Sequence, residues 1–325
     1  MPSLLSSINV STIALSTALV CALSGVAVYA VHKAYRKRRE FMKVANVCKL
    51  IIYPIKSLPG IEVNRLEVTS TGTRYGPFRD RMITQRTEGC SKLALLSLQF
   101  NDNMLWITAP DLPTLKLKVK TEVDDEVIET KVWGDPMEGV YCGLEAEEFF
   151  AQYLNKTGTK LIQHIPKQSV RDGYIQVNNA KVIRNAKYPI IYQDNAGLLV
   201  INQSSVDDLN SRLPTDALKT SYRNFRPNIL ISECDAFDED NWQWVSIRDV
   251  EFKHLKPCDR CVFTTINPDT GIKNGVEPLQ TLRSYRMATD KLKKTYGTSP
   301  LFGAQIGPKN EGEIYCGDDV LAVYK

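Results

Sequence analysis

From Val47 onward the chain is written in short apolar runs, many alternating with polar residues and punctuated by Gly and Pro. Val47–Tyr53 is strand-like and stops at Pro54. Ile61–Val68 alternates, and Gly72 and Gly76 mark turns after it. Arg81–Gln85, Met104–Thr108, Leu115–Val119 and Val127–Trp133 follow at short intervals. Leu115-Lys-Leu-Lys-Val119 has the period of two of a strand with one wet face. Such spacing predicts an antiparallel β barrel or sandwich.

Glu145–Asn155 is the first convincing helix. Phe149 and Tyr153, like Phe150 and Leu154, stand four apart, and glutamates load the first turn, where the dipole favours them. Pro166–Lys187 is polar and poorly periodic and reads as a junction or long loop. Strands are expected near Pro189–Tyr192, Gly197–Asn202, Asn228–Ser232 and Trp244–His254. Ser205 reads as the N-cap of a helix to Arg212, with Asp208 at N3, and Pro278 as the first residue of a helix through Tyr285. The fold class is therefore α+β, mainly antiparallel β. Its expected division is an N-terminal segment 1–43, a β-rich part 44–170 and a second part 171–325.

Ile8–Val31 carries no charged residue and is rich in Ala, Val, Leu and Ile. A helix of that length reaches across a hydrocarbon layer of roughly 30 Å. A cleaved signal peptide would want a positive leading region, and none of the first thirty-one residues is Lys or Arg. The positive charges lie behind it instead: Lys33, Arg36, Lys37, Arg38, Arg39 and Lys43 against Glu40 alone. By the positive-inside tendency that side stays in the cytosol, which predicts a single-pass signal anchor with the bulk of the chain cytosolic. This run accounts for the formal net charge of +4, so the rest is close to neutral and a nucleic-acid partner is not expected.

Eight cysteines are present. A chain of 325 residues with ample Ile, Leu and Val needs no disulfide framework, so the thiols read as reduced. Two of them carry candidate chemistry, in Lys256-Pro-Cys258-Asp-Arg-Cys261-Val-Phe-Thr-Thr265-Ile-Asn-Pro268-Asp-Thr-Gly271. A soft thiol beside a fixed positive charge suits a metal ligand or a redox sulfur. The β-branched run after it reads as strand then turn, which puts the sulfurs at the rim of a β structure. Zinc on Cys258, Cys261 and His254 lacks a fourth ligand, and Cys258 also reads as a small buried hydrophobe. Four basic clusters sit at strand ends or in loops: Lys56-Ser57, Arg79-Asp80-Arg81, Arg223 to Asn228, and Arg260. Together they would form a pocket for an anionic ligand rich in hydrogen-bonding groups. No Gly-x-Gly-x-x-Gly follows a strand, so nothing here resembles a flavin or NADH site.

Tyr53-Pro-Ile-Lys-Ser57, Asn224-Phe-Arg-Pro-Asn228, Arg260-Cys261 with Thr264-Thr265 and Pro268-Asp-Thr-Gly271, and Ser299-Pro-Leu-Phe-Gly303 occur in that order. In these motifs the chain from about Val47 to its end resembles the MOSC-domain family, and within it the membrane-anchored reductases of amidoximes. The resemblance implies a MOSC β-barrel preceded by a β-rich MOSC-associated subdomain. It implies the molybdenum cofactor, Mo-molybdopterin, with Cys261 as the thiolate ligand of the metal. Lys56, Ser57, Arg81, Arg226 and Asn228 match positions holding the pterin and its phosphate; Asp259 and Arg260 adjoin the ligand. Asp194 and Asn195 match a loop near the metal, Asp194 as a positioning or proton-supplying group. Ala196 and Gln305 depart from the family pattern. The implied activity is reduction of amidoximes, hydroxylamines and N-hydroxyguanidines, with electrons from cytochrome b5 and NADH-cytochrome b5 reductase at the mitochondrial outer membrane. Two other readings remain: a non-catalytic carrier or sulfur-handling module for the same cofactor, and a membrane-anchored dithiol oxidoreductase using Cys258 and Cys261.

Overall fold

Seven strands close into a barrel: β1 (Met42–Ile52), β2 (Leu198–Asn202), β3 (Ile229–Ser232), β4 (Trp242–Ile247), β5 (Val250–Asp259), β6 (Leu301–Pro308) and β7 (Asp319–Tyr324). Their order is β3-β2-β6-β5-β4-β7-β1, and β1 pairs back onto β3. All neighbours are antiparallel except β2 and β3. The computed structural model describes residues 40–85, 91–178 and 181–325. The anchor expected over Ile8–Val31 lies outside them; among the described residues no helix is long and apolar enough to cross a membrane. The mainly β architecture matches the sequence reading, and Phe41–Lys325 forms one compact unit.

The helices are few: α1 (Leu144–Leu154), α2 (Gln203–Arg212), α3 (Tyr222–Phe225), α4 (Leu279–Tyr285) and α5 (Asp290–Tyr296). Side chains alternate between the two faces of the barrel wall. Leu198, Val200, Ile229 and Ile231 enter one buried cluster with Val245, Phe252 and Ile306. Leu199, Ile201 and Leu230 enter another, which α2 and α4 cover with Val206, Leu209 and Leu282. Because both faces are covered, β2 is buried at every residue. Each such apolar side chain stabilises by roughly 1.5–3 kcal/mol. The parallel step from β2 to β3 needs a crossover, which α2 supplies.

Four sequence expectations are corrected. Trp244–His254 is not one strand but β4 and β5, folded about Arg248-Asp249, where Arg248 takes a left-handed φ of 52°. Alternation ran through so short a turn without marking the reversal. Pro166–Lys187 is not a loop: Arg171–Val177 pairs with Lys181–Ile190 as a hairpin. Few of its side chains are buried, so backbone pairing left no hydrophobic signature. Asn202, not Ser205, caps α2, accepting from the Ser204 amide at 3.0 Å. Ser205 is buried instead and donates to Glu239 at 3.2 Å. The run after Cys261 is a 3-10 turn, Val262–Thr265, rather than a strand.

Candidate active site

Cys261 stands just past the end of β5, exposed, as the residue before the 3-10 turn. Its carbonyl accepts from the Thr264 amide at 3.2 Å and the Thr264 hydroxyl at 2.9 Å, which pins the bend. Helix α3 braces the loop from behind. Ser221 and Asn224 form a capping box, and the Asn224 amide donates to the carbonyls of Thr264 at 3.2 Å and Ile266 at 3.1 Å. The sequence reading singled out the motif containing Asn224 but not this role.

Arg260 is buried beside the thiol-bearing loop. Its Nε donates to Phe302 O at 2.8 Å and its Nη1 to Phe225 O at 3.0 Å. Among the described residues its Nη2 has no partner. Asp259 accepts from the buried Lys256 Nζ at 2.6 Å. Cys258 points the other way, into the cluster under α2 and α4, where burial pushes its thiol up. Its sulfur meets Asp259 O at 3.7 Å and Gln305 Nε2 at 3.6 Å. Thiol exchange requires a thiolate, so this placement favours packing over a dithiol role for Cys258.

A second group of residues gathers around Tyr53. The guanidinium of Arg226 lies 4.3 Å from the Tyr53 ring centroid and that of Arg81 4.9 Å from it. Arg226 Nη1 donates to Leu58 O at 2.6 Å, while its Nη2 is buried and unpartnered. Burial, with Arg81 nearby, pushes Arg226 down to about 10. Arg81 is half-buried, but its ion pair with Asp80 holds it above the usual arginine range against the cost of burial.

Asp80 is the hub here, and sequence reasoning passed over it. Fully buried, it takes Arg81, the Tyr53 amide at 3.0 Å and the Asn228 amide at 2.9 Å. Asn228 also donates to Ile51 O at 3.3 Å and accepts from the Leu199 amide at 3.2 Å. Its amide is thus spent inside the barrel wall, and it acts on the site by orienting Asp80. The only advance signal of Asp80 was its place between two arginines.

Lys56 Nζ donates to Tyr192 O at 3.0 Å and pairs with Asp194 Oδ1. Burial pushes Lys56 below the usual lysine range, although Asp194 opposes the shift. Asp194 feels burial too, yet Lys56, the Trp133 indole N–H at 2.7 Å and Arg81 hold it below the usual carboxylate range. Asp194 is therefore ionised at neutral pH, and the proton of the pair sits on Lys56. Asn195 is half-buried, its carbonyl accepting from the Tyr174 amide at 2.8 Å. Ser57, Arg81 and Arg226 all hold left-handed φ, at 70°, 51° and 57°. Non-glycine residues adopt this only where surroundings enforce it, and such residues cluster at functional sites.

Helix α3 joins the two groups. Arg226 at its end lies 5.5 Å from the Phe263 ring of the thiol loop, and the Phe225 carbonyl takes Arg260. A cavity of about 340 Å³ opens beside Tyr53, Arg223, Arg226 and Phe263. Two buried guanidiniums with free donors cost the fold unless an acceptor-rich group meets them. A phosphate-bearing pterin supplies such acceptors, and a dithiolene-bound metal accepts a soft sulfur such as exposed Cys261. The residues present thus fit the molybdenum cofactor. Among the described residues no cluster of three or more His, Cys, Asp or Glu could hold a metal ion.

Comparison with known proteins places these motifs. The MOSC domain matches residues 187–321, and the MOSC N-terminal beta barrel domain matches residues 44–157. Mitochondrial amidoxime-reducing component 1 of Mus musculus is 36% identical over 88% of this chain and 84% of its own length. Mitochondrial amidoxime-reducing component 1 of Homo sapiens is 37% identical over 88% of this chain and 85% of its own. Mitochondrial amidoxime reducing component 2 of Rattus norvegicus is 36% identical over the same shares, 88% and 85%. With the exposed Cys261 thiol just past the end of β5, arginine donors without partners among the described residues nearby and relatives of this closeness along most of its length, the chain belongs to the MOSC-domain family of mitochondrial amidoxime-reducing components.

Proposed function

We propose that this chain is a molybdenum-cofactor-dependent reductase of N-hydroxylated compounds: amidoximes, hydroxylamines and N-hydroxyguanidines. The observation that carries the reading is the exposed Cys261 thiol beside two arginines, each with a buried Nη2 that has no partner among the described residues. When bound, the cofactor would supply the two electrons that cleave an N–O bond reductively, two protons completing the water that leaves.

The chain's own contribution is positional and electrostatic. Cys261 offers the soft donor, held at the rim by Thr264 and Asn224. Arg226, Arg260, Arg81 and Lys56 face the anionic part of the cofactor, with Ser57 in the same left-handed turn as Lys56. Asp194 holds Lys56 in place, and burial draws the Lys56 ammonium below the usual lysine range. Asn195 and Asp259 are the remaining residues assigned to the cofactor's surroundings in this reading. Electrons come from cytochrome b5 and NADH-cytochrome b5 reductase, and the chain works at the mitochondrial outer membrane, anchored by Ile8–Val31, with its barrel in the cytosol.

Metal analysis of the chain from Lys43 onward, produced with cofactor, tests the reading. Molybdenum near one per chain is expected, with benzamidoxime reduced in the presence of NADH, cytochrome b5 and its reductase. Cys261→Ala should abolish turnover while Cys258→Ala largely spares it. Bound cofactor with no turnover would support a carrier, and equal loss in both variants would support a dithiol enzyme.

A further inference from the structure

The hairpin Val127–Val132/Asp135–Tyr141 reverses through only two residues, Trp133 and Gly134. Their φ angles are 53° and 87°, so both are left-handed. Asn-Gly or Asp-Gly is the chemistry that such a turn favours, and a bulky residue in its first position is strained. Turn formation therefore gives no reason for tryptophan at 133. Packing gives none either: the residue is 74% exposed and stands outside the buried hydrophobic clusters of the described residues. Its one hydrogen bond is specific. The indole Nε1 donates to Asp194 Oδ1 at 2.7 Å, the oxygen that also receives Lys56 Nζ.

That bond uses the edge of the indole and leaves its faces open. It fixes a wide aromatic surface beside the Lys56–Asp194 pair, on a turn whose register is closed by Val132 and Asp135. Asp135 is itself held by Arg171 at 2.9 Å and Arg184 at 2.6 Å, so the tip is tethered from below as well. A small donor such as Asn could serve Asp194 in this turn. What tryptophan adds is a face on which a flat π system can stack. N-hydroxylated amidines conjugated to an aryl ring are flat π systems, whereas small aliphatic ones offer little to stack.

We propose that Trp133 is a specificity-determining residue: its indole, aimed by Asp194, forms an aromatic wall that selects aryl-conjugated over small aliphatic N-hydroxylated substrates. This rests on the N-reduction reading of the site. The stacking face acts in binding, so its loss shows in KM rather than in kcat.

The test compares wild type, Trp133→Asn and Trp133→Phe, all loaded with molybdenum. Asn suits the turn, so its melting temperature should match or exceed wild type. The ratio of kcat/KM for benzamidoxime to that for acetamidoxime should fall about 3- to 10-fold in Trp133→Asn, through KM. Trp133→Phe, which keeps a ring but loses the N–H, should hold the ratio within about twofold. Calorimetric titration of benzamidoxime onto the loaded, oxidised protein should show the same weakening without turnover. An unchanged ratio in Trp133→Asn, or an equal fall in Trp133→Phe, overturns the proposal. Should wild type reduce neither compound, the N-reduction reading fails. The titration then still decides the wall: weaker binding in Trp133→Asn supports it, and equal or undetectable binding overturns it.

Discussion

Asn224 reaches from the last turn of a four-residue helix to the carbonyl of Thr264, 3.2 Å away, on the loop that presents Cys261. The same side chain caps its own helix through the Ser221 amide at 3.1 Å and reaches Ile266 as well. Asn224→Ala strands two loop carbonyls and one cap donor in a buried place. A loss of about 2–3 kcal/mol is expected, since each abandoned buried group costs roughly 1 kcal/mol or more. Urea titration measures it. Molybdenum per chain should fall further than stability alone explains, because the thiol loses its brace; unchanged metal content would show that the loop holds itself.

Thiol reactivity should divide the cysteines by burial. Cys48, Cys261 and Cys316 are exposed, though partial burial raises the Cys316 thiol. Burial pushes Cys142 and Cys234 up to about 12 and raises Cys258 as well. With iodoacetamide at pH 8, peptide mass spectrometry of the cofactor-free chain should find Cys48 and Cys261 modified first and Cys142, Cys234 and Cys258 last. Early labelling of Cys258 would mean that its cluster opens readily.

Local signals made much of this legible. Met104–Thr108 matches its strand residue for residue, because alternation there has one wet face and no competing turn. Cys261 and the four basic clusters were visible as soft or charged groups in turn-rich sequence. Asp80 was not: its bond to Asn228 spans 148 residues, and no local pattern encodes such a meeting. Gln305 departs from the family pattern, yet its amide meets Cys258 and its Oε1 lies buried without a partner among the described residues. Trp133 read as the end of a strand, since nothing in Val-Trp-Gly announces that its N–H finds Asp194, 61 residues on.

Stability should depend on pH through buried groups of opposite sign. Burial pushes His254 down to about 3 and His164 to about 4. The unfolded chain binds protons at these sites below about pH 6.5, so stability falls as the solution is acidified from there. Glu239, buried against Ser205, is raised to about 7. It is protonated when folded and ionised when unfolded between about pH 4.5 and 7, so its contribution is fullest at the acid end and is lost as pH rises to 7. Glu239→Gln removes that opposing effect. The variant should gain about 1–3 kcal/mol at pH 8, and its acid loss between pH 6.5 and 5 should be steeper than in wild type. Urea midpoints at pH 5, 6.5 and 8 check both signs. A variant that runs parallel to wild type would show Glu239 to be ionised throughout.

The Lys56–Asp194 pair sets a second pH response, this time in cofactor retention. Burial already depresses Lys56, and Asp194 is the charge that restrains the fall. If Lys56 holds an anionic group of the cofactor, only its protonated form does so, and retention declines as pH rises through its pKa. Asp194→Asn removes the restraining charge but keeps an acceptor for Lys56 and for the Trp133 indole. The decline in bound molybdenum, followed by dialysis from pH 7 to 10, should move to lower pH by about one unit, the size of effect that one adjacent charge produces. Lys56→Arg, whose charge persists over that range, should flatten the profile. If all three proteins lose metal along the same curve, the cationic group that retains the cofactor is not Lys56, and Arg226, with its own buried free donor, becomes the group to change next.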